Sequence, residues 1–275
     1  MTIPYPRISP VAFQIGPLAV RWYGLMYLAG YVVGGWLARW RTRRGFWTLD
    51  YSAVDALIGY LVIGMLAGAR LVYVTIYDWP AFRAHPFDIF ALWHGGLSFH
   101  GATLGMAVAC AIFARRRKLP WRMVTDGVAV CAPPGLFFGR IGNFINAELY
   151  GRPSDVPWAM VFPTDPLGLP RHPSQLYEAI CEGIVLGAAM LWLQLRLARR
   201  GTVKDGYLSA AALVGYGILR FAIEFTRQPD AQLGFVLGPL SMGQVLSVLT
   251  IAAGFALFVV TQRSDSRALL HVKDQ

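Results

Sequence analysis

Seven long apolar stretches constrain this chain more than any other feature of its sequence. They lie at about 17–38, 54–77, 95–114, 123–139, 175–195, 206–225 and 240–261. A helix needs roughly 20 mostly apolar residues to cross about 30 Å of hydrocarbon, and the whole chain is 56% hydrophobic and only 15% charged. We therefore predict an all-α integral membrane protein with seven transmembrane helices, in preference to a soluble protein with buried helices.

The distribution of positive charge indicates a membrane topology. A net charge of +10 could by itself suggest nucleic-acid binding. Most of the 25 Lys and Arg residues, however, cluster at alternate ends of the apolar stretches, within 39–44, 115–122, 196–204 and 263–273. The positive-inside rule places these ends in the cytoplasm. It predicts an external N-terminus and a cytoplasmic C-terminus, with membrane lipids and not nucleic acid as the surrounding partner.

The predicted outer connections are the candidate location for function. The longest covers about 140–174, between spans four and five, and is too polar and Pro-rich to be a span. Residues 1–16 carry three prolines and lack the pattern of a cleaved signal peptide, so we expect them to form an external arm. No repeat with a period of 20 to 50 residues is visible. We predict one polytopic membrane domain over 1–275 with an elaborated periplasmic face, where loops often carry chemistry.

The three cysteines do not form a recognisable site. Cys110, Cys131 and Cys181 lie singly in apolar stretches, without a CxxC pair or a histidine at ligand spacing. We interpret them as small packing residues, and we predict no metal site and no cofactor.

Polar residues at membrane depth mark the candidate functional positions, because insertion scales assign charged residues a cost of roughly 2.5–3.5 kcal/mol each. They are Tyr23 in RWYGLMY, Arg70 in GARLVY, His100 in GGLSFHGATLG, Arg140, Asn143, Asn146, Glu148 and Gly151 in GRIGNFINAELYG, and Arg220, Glu224 and Arg227 in LRFAIEFTRQPDAQ. The last three are spaced i, i+4 and i+7 and therefore share one helix face.

Several of these residues also have a purely structural interpretation. Tyr23 could belong to an interfacial aromatic belt, and Arg70 could snorkel or pair two helices. His100 could be a hydrogen-bonded packing histidine. Asn143 and Asn146 could join helices by hydrogen bonds.

The charged residues of the later spans allow both interpretations as well. Glu224 is most simply the neutralising partner of Arg220, and HPSQLYEA at 172–179 could be a helix start that leads Glu178 and Glu182 into the bundle. Several arginines nevertheless lie in the outer half without enough acid nearby to cancel them. We therefore expect an external anion, and phosphate matches the planar fork of arginine best.

At these segments the chain resembles the prolipoprotein diacylglyceryl transferase family. GRIGNFINAELYG matches the family signature along its whole length, with its Gly-Arg start, Asn-Phe-x-Asn-x-Glu centre and closing Gly. It is joined in order by RWYGLMY, GGLSFHGA, RHPSQLYE and RFAIEFTRQPDAQ, so the resemblance spans nearly the whole chain. The motif residues show no departure, and the stretch from Arg152 to Pro170 lies outside any matched motif.

The resemblance implies an enzyme of the bacterial inner membrane with its active site toward the outer side. Such an enzyme transfers the diacylglyceryl group of phosphatidylglycerol to the thiol of a prolipoprotein lipobox cysteine, forming a thioether and releasing glycerol phosphate. The implied catalytic residues are Arg140, Arg220, His100 and Tyr23. The implied phosphatidylglycerol-binding residues are Arg140, Asn143, Asn146, Glu148, Gly151, Arg70, Glu224 and Arg227. Because the acceptor thiol comes from the substrate, no cysteine nucleophile is required, and either His100 or the arginine field could activate the thiol.

Two other classes of function remain as alternatives. A transporter or flippase of an anionic lipid or solute would also use broken helices and arginines at membrane depth. The absence of inverted repeats and the position of the polar residues toward the outer face both disfavour it. A scaffold that only binds lipoproteins would not need so many convergent polar residues.

Overall fold

The structure is a computed structural model that describes residues 2–6, 8–91, 95–229, 235–263 and 267–268. Within these ranges, the side chains at 18, 81, 99, 100, 202, 235, 267 and 268 lie outside the description.

Helices form most of the described chain. They are α1 (Trp22–Arg43), α2 (Tyr51–Val72), α3 (Trp79–Ala84), α4 (Phe99–Arg116), α5 (Trp121–Cys131), α6 (Pro133–Ile145), α7 (Ser174–Glu178), α8 (Leu186–Ala198), α9 (Tyr207–Ile223) and α10 (Met242–Gln262). A π-helical turn, Tyr73–Tyr77, continues α2, a second, Ala179–Val185, joins α7 to α8, and a 3-10 turn covers Pro86–Phe90. A helical segment occurs in each of the seven apolar intervals.

The lengths and compositions of these segments make the chain a multi-pass membrane protein. Three segments of the described chain are long and apolar enough to cross a bilayer, namely Tyr51–Tyr77, Ser174–Ala198 and Met242–Gln262. The pair α5 and α6 passes the same test together, with a bend of 44° at the break between them. The α6 helix begins with two prolines. Proline breaks a helix because its ring clashes with a carbonyl group of the preceding turn and because it has no N–H group to donate.

Four small antiparallel sheets accompany the helices in the described part of the chain. Their strands are β1 (Val11–Ile15) with β2 (Leu18–Arg21), β3 (Met160–Val161) with β4 (Pro170–Arg171), β5 (Thr202–Val203) with β8 (Arg267–Ala268), and β6 (Phe235–Leu237) with β7 (Leu240–Ser241). The expectation that the first span begins at residue 17 is wrong, because 17–21 belongs to the β1–β2 hairpin. Gly16 adopts a φ of 57° in its turn, a conformation that glycine adopts without steric cost.

The loop that was predicted to be external also begins later than expected. Residues 140–145 of the predicted 140–174 loop are helical, because α6 continues to Ile145. Apolar side chains such as Ile141 and Phe144 continue the helical pattern there, and the break comes only at Ala147, whose φ is +55°. The first half of GRIGNFINAELYG is therefore a rigid helix, and only its second half is a turn.

The described chain forms two compact units. One comprises the residues up to Trp47 together with those from Asp126 onward, and the other is Thr48–Thr125. In the smaller unit α2 packs on α4 through glycines at positions 64, 68, 101 and 105. Both helices thus present a GxxxG spacing, which lets helix backbones approach closely in a membrane. In the larger unit α1 packs on α6 and α9 packs on α10.

Candidate active site

Arginines and glutamates from three parts of the larger unit meet in one cluster. The members are Arg140 of α6, Glu178 of α7, Glu182 of the π-helical turn, Arg220 of α9, and Glu224 and Arg227 just after α9. We call these six residues the arginine–glutamate cluster.

Glu178 is the centre of the cluster. Its Oε2 lies 2.6 Å from Arg140 Nε. Its Oε1 lies 3.2 Å from Arg220 Nη1 and 3.0 Å from Arg227 Nη1. One carboxylate therefore holds three guanidinium groups together.

The other two carboxylates hold the flanks of the cluster. Glu182 Oε2 lies 3.5 Å from Arg140 Nη2, and Glu182 Oε1 lies 3.9 Å from Arg220 Nη1. Glu224 Oε2 lies 2.8 Å from Arg220 Nη2 and 3.9 Å from Arg227 Nε. Arg140 and Arg227 thus each contact two carboxylates and Arg220 contacts three, which restricts the orientation of the planar guanidinium groups.

The cluster contradicts the expectation that too little acid lies near the arginines. Three carboxylates match three guanidinium groups, so the fully ionised cluster is neutral. The glutamate side chains of the cluster are nevertheless more deeply buried than its arginine side chains. The side chains of Glu178, Glu182 and Glu224 are at most 5% exposed, whereas those of the three arginines are 12–16% exposed. The carboxylates form the buried back of the cluster, and its accessible side is cationic.

The π-helical turn Ala179–Val185 positions Glu182. Such turns widen a helix by one residue and are frequent at functional sites. An added Cβ on Gly183 would lie 2.5 Å from the Cβ of Phe137 in α6, so this glycine permits the close approach of the two helices. The approach brings Glu182 to Arg140, one turn further along α6.

The second half of the signature forms a tight polar turn next to α6. Glu148 Oε1 accepts hydrogen bonds from Asn143 Nδ2 at 2.8 Å and from Asn146 Nδ2 at 3.3 Å. Ala147 and Leu149 both have left-handed φ values, of 55° and 57°. Non-glycine residues rarely adopt this region, and such residues concentrate at functional sites.

Tyr23 lies at the start of α1, facing α6. Its hydroxyl is 3.3 Å from that of Tyr27, and Asn143 and Glu148 are further polar neighbours of this phenol. An added Cβ on Gly142 would lie 2.9 Å from the Tyr23 ring. The structure thus brings Tyr23, Asn143, Asn146 and Glu148 together beside α6.

Gly151 connects the loop 146–173 to the end of α9. Its N–H donates to His172 O at 2.8 Å, and it pairs with Arg227 as an antiparallel bridge. An added Cβ would meet the Thr226 carbonyl oxygen as well as His172. The space around this glycine is therefore filled by the protein itself, which accounts for the closing glycine of the signature.

Two further arginines hold the loop 146–173 against the same turn. Arg152 Nε donates to Arg227 O at 2.8 Å. Arg171 donates to both oxygens of Asp165, at 2.6 Å and 3.0 Å, and to Gln228 Oε1 at 3.3 Å. These hydrogen bonds hold the pKa of the Asp165 carboxyl below its ordinary value. The loop thus braces the chain segment that carries Arg227.

Arg70 and His100 belong to the smaller unit. The Arg70 guanidinium donates to main-chain oxygens of Asp88, Ile89, Gly95 and Gly96, at 2.5–3.0 Å. This pattern organises the connection that precedes α4. His100 lies in the first turn of α4, and its side chain is outside the described residues. The assignment of either residue to the phospholipid site stays a prediction.

Sequence reasoning did not assign Glu178, Glu182 or Tyr216 to the site. The two glutamates are spaced i, i+4 inside an apolar stretch, and this spacing was the signal for a shared partner. Tyr216 lies one helical turn before Arg220 and is an electrostatic neighbour of both Arg140 and Arg220. Among the described residues, no group of three or more His, Cys, Asp or Glu side chains could hold a metal ion.

Comparison with known proteins identifies close relatives over nearly the whole chain. A family model described as prolipoprotein diacylglyceryl transferase matches residues 10–260. A phosphatidylglycerol–prolipoprotein diacylglyceryl transferase of Bordetella parapertussis is 49% identical over 264 residues, covering 96% of this chain and 99% of the relative. A protein with the same name from Rhodospirillum rubrum is 47% identical over 271 residues, covering 97% of this chain and 97% of the relative. Another from Nitratidesulfovibrio vulgaris is 49% identical over 256 residues, covering 93% of this chain and 94% of the relative. The matched residues include the whole arginine–glutamate cluster.

Proposed function

The chain belongs to the prolipoprotein diacylglyceryl transferase family, and from that premise we propose how its arginine–glutamate cluster serves the reaction. The enzyme is a transferase that moves the diacylglyceryl group of phosphatidylglycerol onto a prolipoprotein, the first step of lipoprotein maturation. The acceptor is the thiol of the lipobox cysteine. The observation that carries the proposal is the accessible cationic side of the cluster above its buried carboxylates.

The reaction is a displacement at a glyceryl carbon. The sulfur forms a bond to this carbon while the bond from the carbon to the phosphate oxygen breaks, and the electron pair of that bond leaves with glycerol phosphate. The phosphodiester carries one negative charge, and the departing monoester gains a second. Groups that stabilise this growing charge bind the transition state more strongly than the ground state, which accelerates the reaction.

Arg140 and Arg220 are the proposed clamp for the departing phosphate, and Arg227 completes the cationic side. Guanidinium groups match phosphate oxygens with paired hydrogen bonds. The buried carboxylates keep these groups in place before the lipid arrives, so little reorganisation is needed during the reaction. A neutral cluster also avoids the cost of three uncompensated cations at membrane depth.

The polar turn beside α6 is the proposed site for the rest of the headgroup. Asn146 Oδ1 is buried and has no hydrogen-bond partner among the described residues. It would accept a hydrogen bond from a glycerol hydroxyl of phosphatidylglycerol, with Asn143 and Glu148 fixing its orientation. Tyr23 would donate a hydrogen bond from α1. Gly151 contributes indirectly, because its close packing positions Arg227.

The location that we propose is the bacterial inner membrane, with seven spans, an external N-terminus and a cytoplasmic C-terminus. The alternating basic clusters support this topology. It places Arg140 and the turn after α6 toward the outer side. Outer connections such as 146–173 would then form a periplasmic elaboration beside the site.

A reconstituted assay tests the function directly. Purified protein, phosphatidylglycerol and a lipobox peptide should yield glycerol phosphate and a peptide heavier by one diacylglyceryl group. A peptide with serine in place of the cysteine should yield neither product. If the cysteine peptide also gave no product, the proposed transfer would be wrong, and lipid movement in vesicles would then test the transporter alternative.

A further inference from the structure

Ser241 begins α10 and closes its first turn in the usual way. Its Oγ accepts the hydrogen bond of Gln244 N at 3.3 Å, and Gln244 Oε1 accepts that of Ser241 N at 3.0 Å. This reciprocal pair is a capping box, which satisfies two main-chain donors at a helix start.

The same hydroxyl also reaches the arginine–glutamate cluster. Ser241 Oγ donates to Glu224 Oε1 at 2.8 Å, and the other oxygen of Glu224 lies 2.8 Å from Arg220 Nη2. Ser241 is 1% exposed and Glu224 is 3% exposed. A hydroxyl has one proton, and here that proton is directed to Glu224. The two oxygens of Glu224 are thus divided between a fixed donor and Arg220.

The Glu224 carboxylate occupies the space that a side chain at Gly243 would fill. An added Cβ on Gly243 would meet Glu224 Oε1 and would lie 2.5 Å from the carboxyl carbon. The carboxylate therefore rests directly against the first turn of α10. The partial positive charge of a helix N-terminus favours an anion in this position.

We propose that Ser241 and Gly243 are positioning residues for Arg220, acting through Glu224. This inference rests on the proposed function, in which Arg220 stabilises the departing phosphate. Ser241 fixes one carboxylate oxygen, so the other oxygen stays in ion-pair contact with Arg220 Nη2 and keeps the guanidinium group in place for the phosphate. Gly243 admits the carboxylate to that position. The start of α10 thereby controls a group on α9 that acts on the substrate.

The expected kinetic effect lies in turnover more than in substrate binding. A group that acts on charge developing in the transition state changes kcat more than KM. Removal of a hydrogen bond to a charged group corresponds to a loss of about tenfold or more. We therefore expect Ser241→Gly to lower kcat about tenfold while KM for phosphatidylglycerol stays within about twofold.

Two substitutions at Ser241 separate positioning from helix capping. Glycine is nearly as good as serine at a helix N-cap, and aspartate is equally good. Neither can donate to Glu224, and aspartate adds a second negative charge beside it. We expect both variants to lose turnover. Ser241→Gly should melt close to the wild-type temperature, whereas Ser241→Asp should melt lower, because it buries a second carboxylate against Glu224.

Ser247→Ala is the matched control on the same helix. The Ser247 hydroxyl donates to Gly243 O at 2.7 Å, and the residue is 2% exposed. This variant also removes a buried hydroxyl, although one that does not contact Glu224. We expect its turnover to stay near that of the wild type.

A double-mutant cycle with Glu224→Gln completes the test. If Ser241 acts through the Glu224 carboxylate, Ser241→Gly should cost little further turnover in the Glu224→Gln background. Additive losses, or a Ser241→Gly enzyme as fast as Ser247→Ala, would overturn the inference while the transferase function stood. A wild-type protein that formed no lipidated peptide would overturn the proposed function itself, and the positioning role with it.

Discussion

His100 is the candidate base for the incoming thiol. A free cysteine titrates near about 8.5, so only a few per cent is thiolate at neutral pH. A histidine titrates in a range suited to removing this proton. The arginines of the cluster could instead lower the thiol pKa themselves, which would leave His100 a positioning role.

The pH dependence of His100→Gln distinguishes these two roles. If His100 is the base, we expect the variant to be more than about tenfold slower than the wild type at pH 7 and to recover relative to it as the pH passes the thiol pKa. The measurement is transfer rate from pH 6.5 to 9 for both proteins. A constant ratio across this range would assign activation of the thiol to the arginine field.

The sequence predicted the arginines of the site better than it predicted the residues with which they pair. Arg41 lies in a basic cluster that indicates topology, yet it is 1% exposed and donates to Gln194 and to the Gly127 carbonyl oxygen. Motifs could identify Arg140 and Arg220. The i, i+4 spacing also predicted Glu224 as a partner of Arg220. Glu178 and Glu182, however, lie about 40 positions from both arginines in the chain, and no local periodicity reports such a contact.

At the scale of elements, the loop from Asn146 to Pro173 stabilises the end of α9 through its hydrogen bonds. Its strands β3 and β4 are only two residues long, so hydrogen bonds and ion pairs must supply much of its order. The ion pair between Asp165 and Arg171 is buried at its centre. No motif covers the stretch from Arg152 to Pro170, because its contacts join residues that only the folded loop brings together.

The Asp165–Arg171 pair predicts a specific pH dependence of stability. Hydrogen bonds from Arg171 lower the pKa of Asp165 below its ordinary value of 3.8. The pair therefore stabilises the fold fully above about pH 4, and this contribution is lost as the pH falls through the lowered pKa. We expect Asp165→Asn to destabilise the protein at pH 7 by about 3 kcal/mol, since Arg171 keeps its buried charge.

Melting temperatures of the wild type and Asp165→Asn at pH 7, 5, 4 and 3 provide the measurement. The difference between the two proteins should be constant from pH 7 to 5 and should shrink below pH 4. A difference that persisted unchanged at pH 3, or that was absent at pH 7, would contradict a stabilising ionised pair.

At the scale of the whole molecule, the positions of helices were predictable and their breaks were not. Apolar length and the alternation of basic clusters are properties of continuous segments, so hydropathy locates them. The bend between α5 and α6 depends on prolines, and the β1–β2 hairpin depends on its turn conformation. The π-helical turn Ala179–Val185 depends on packing against distant helices. This π-helical turn holds Glu182 in place and therefore shapes part of the site.

Topology can be tested with single cysteines in a background that replaces Cys110, Cys131 and Cys181 with alanine. This background should remain active, since the acceptor thiol is the substrate's own. Leu167 is 67% exposed on the loop 146–173, so under the proposed topology we expect Leu167→Cys to react with a membrane-impermeant reagent from outside intact cells. Arg117→Cys should react only after permeabilisation. The opposite labelling pattern would reverse the orientation, and an inactive but folded background would reopen a covalent mechanism.

The turnover of Arg140→Lys and Arg220→Lys in the reconstituted transfer assay tests the central role of the cluster most directly. Lysine keeps the charge but lacks the rigid planar fork that forms paired hydrogen bonds to a phosphate. Arg196→Lys is the control, because Arg196 contacts the Trp192 ring in α8 and no member of the cluster. We expect kcat to fall by more than about tenfold in both cluster variants and to be nearly unchanged in the control, with all three proteins inserted and folded. Near-normal turnover in either cluster variant would contradict its role in stabilising the departing phosphate.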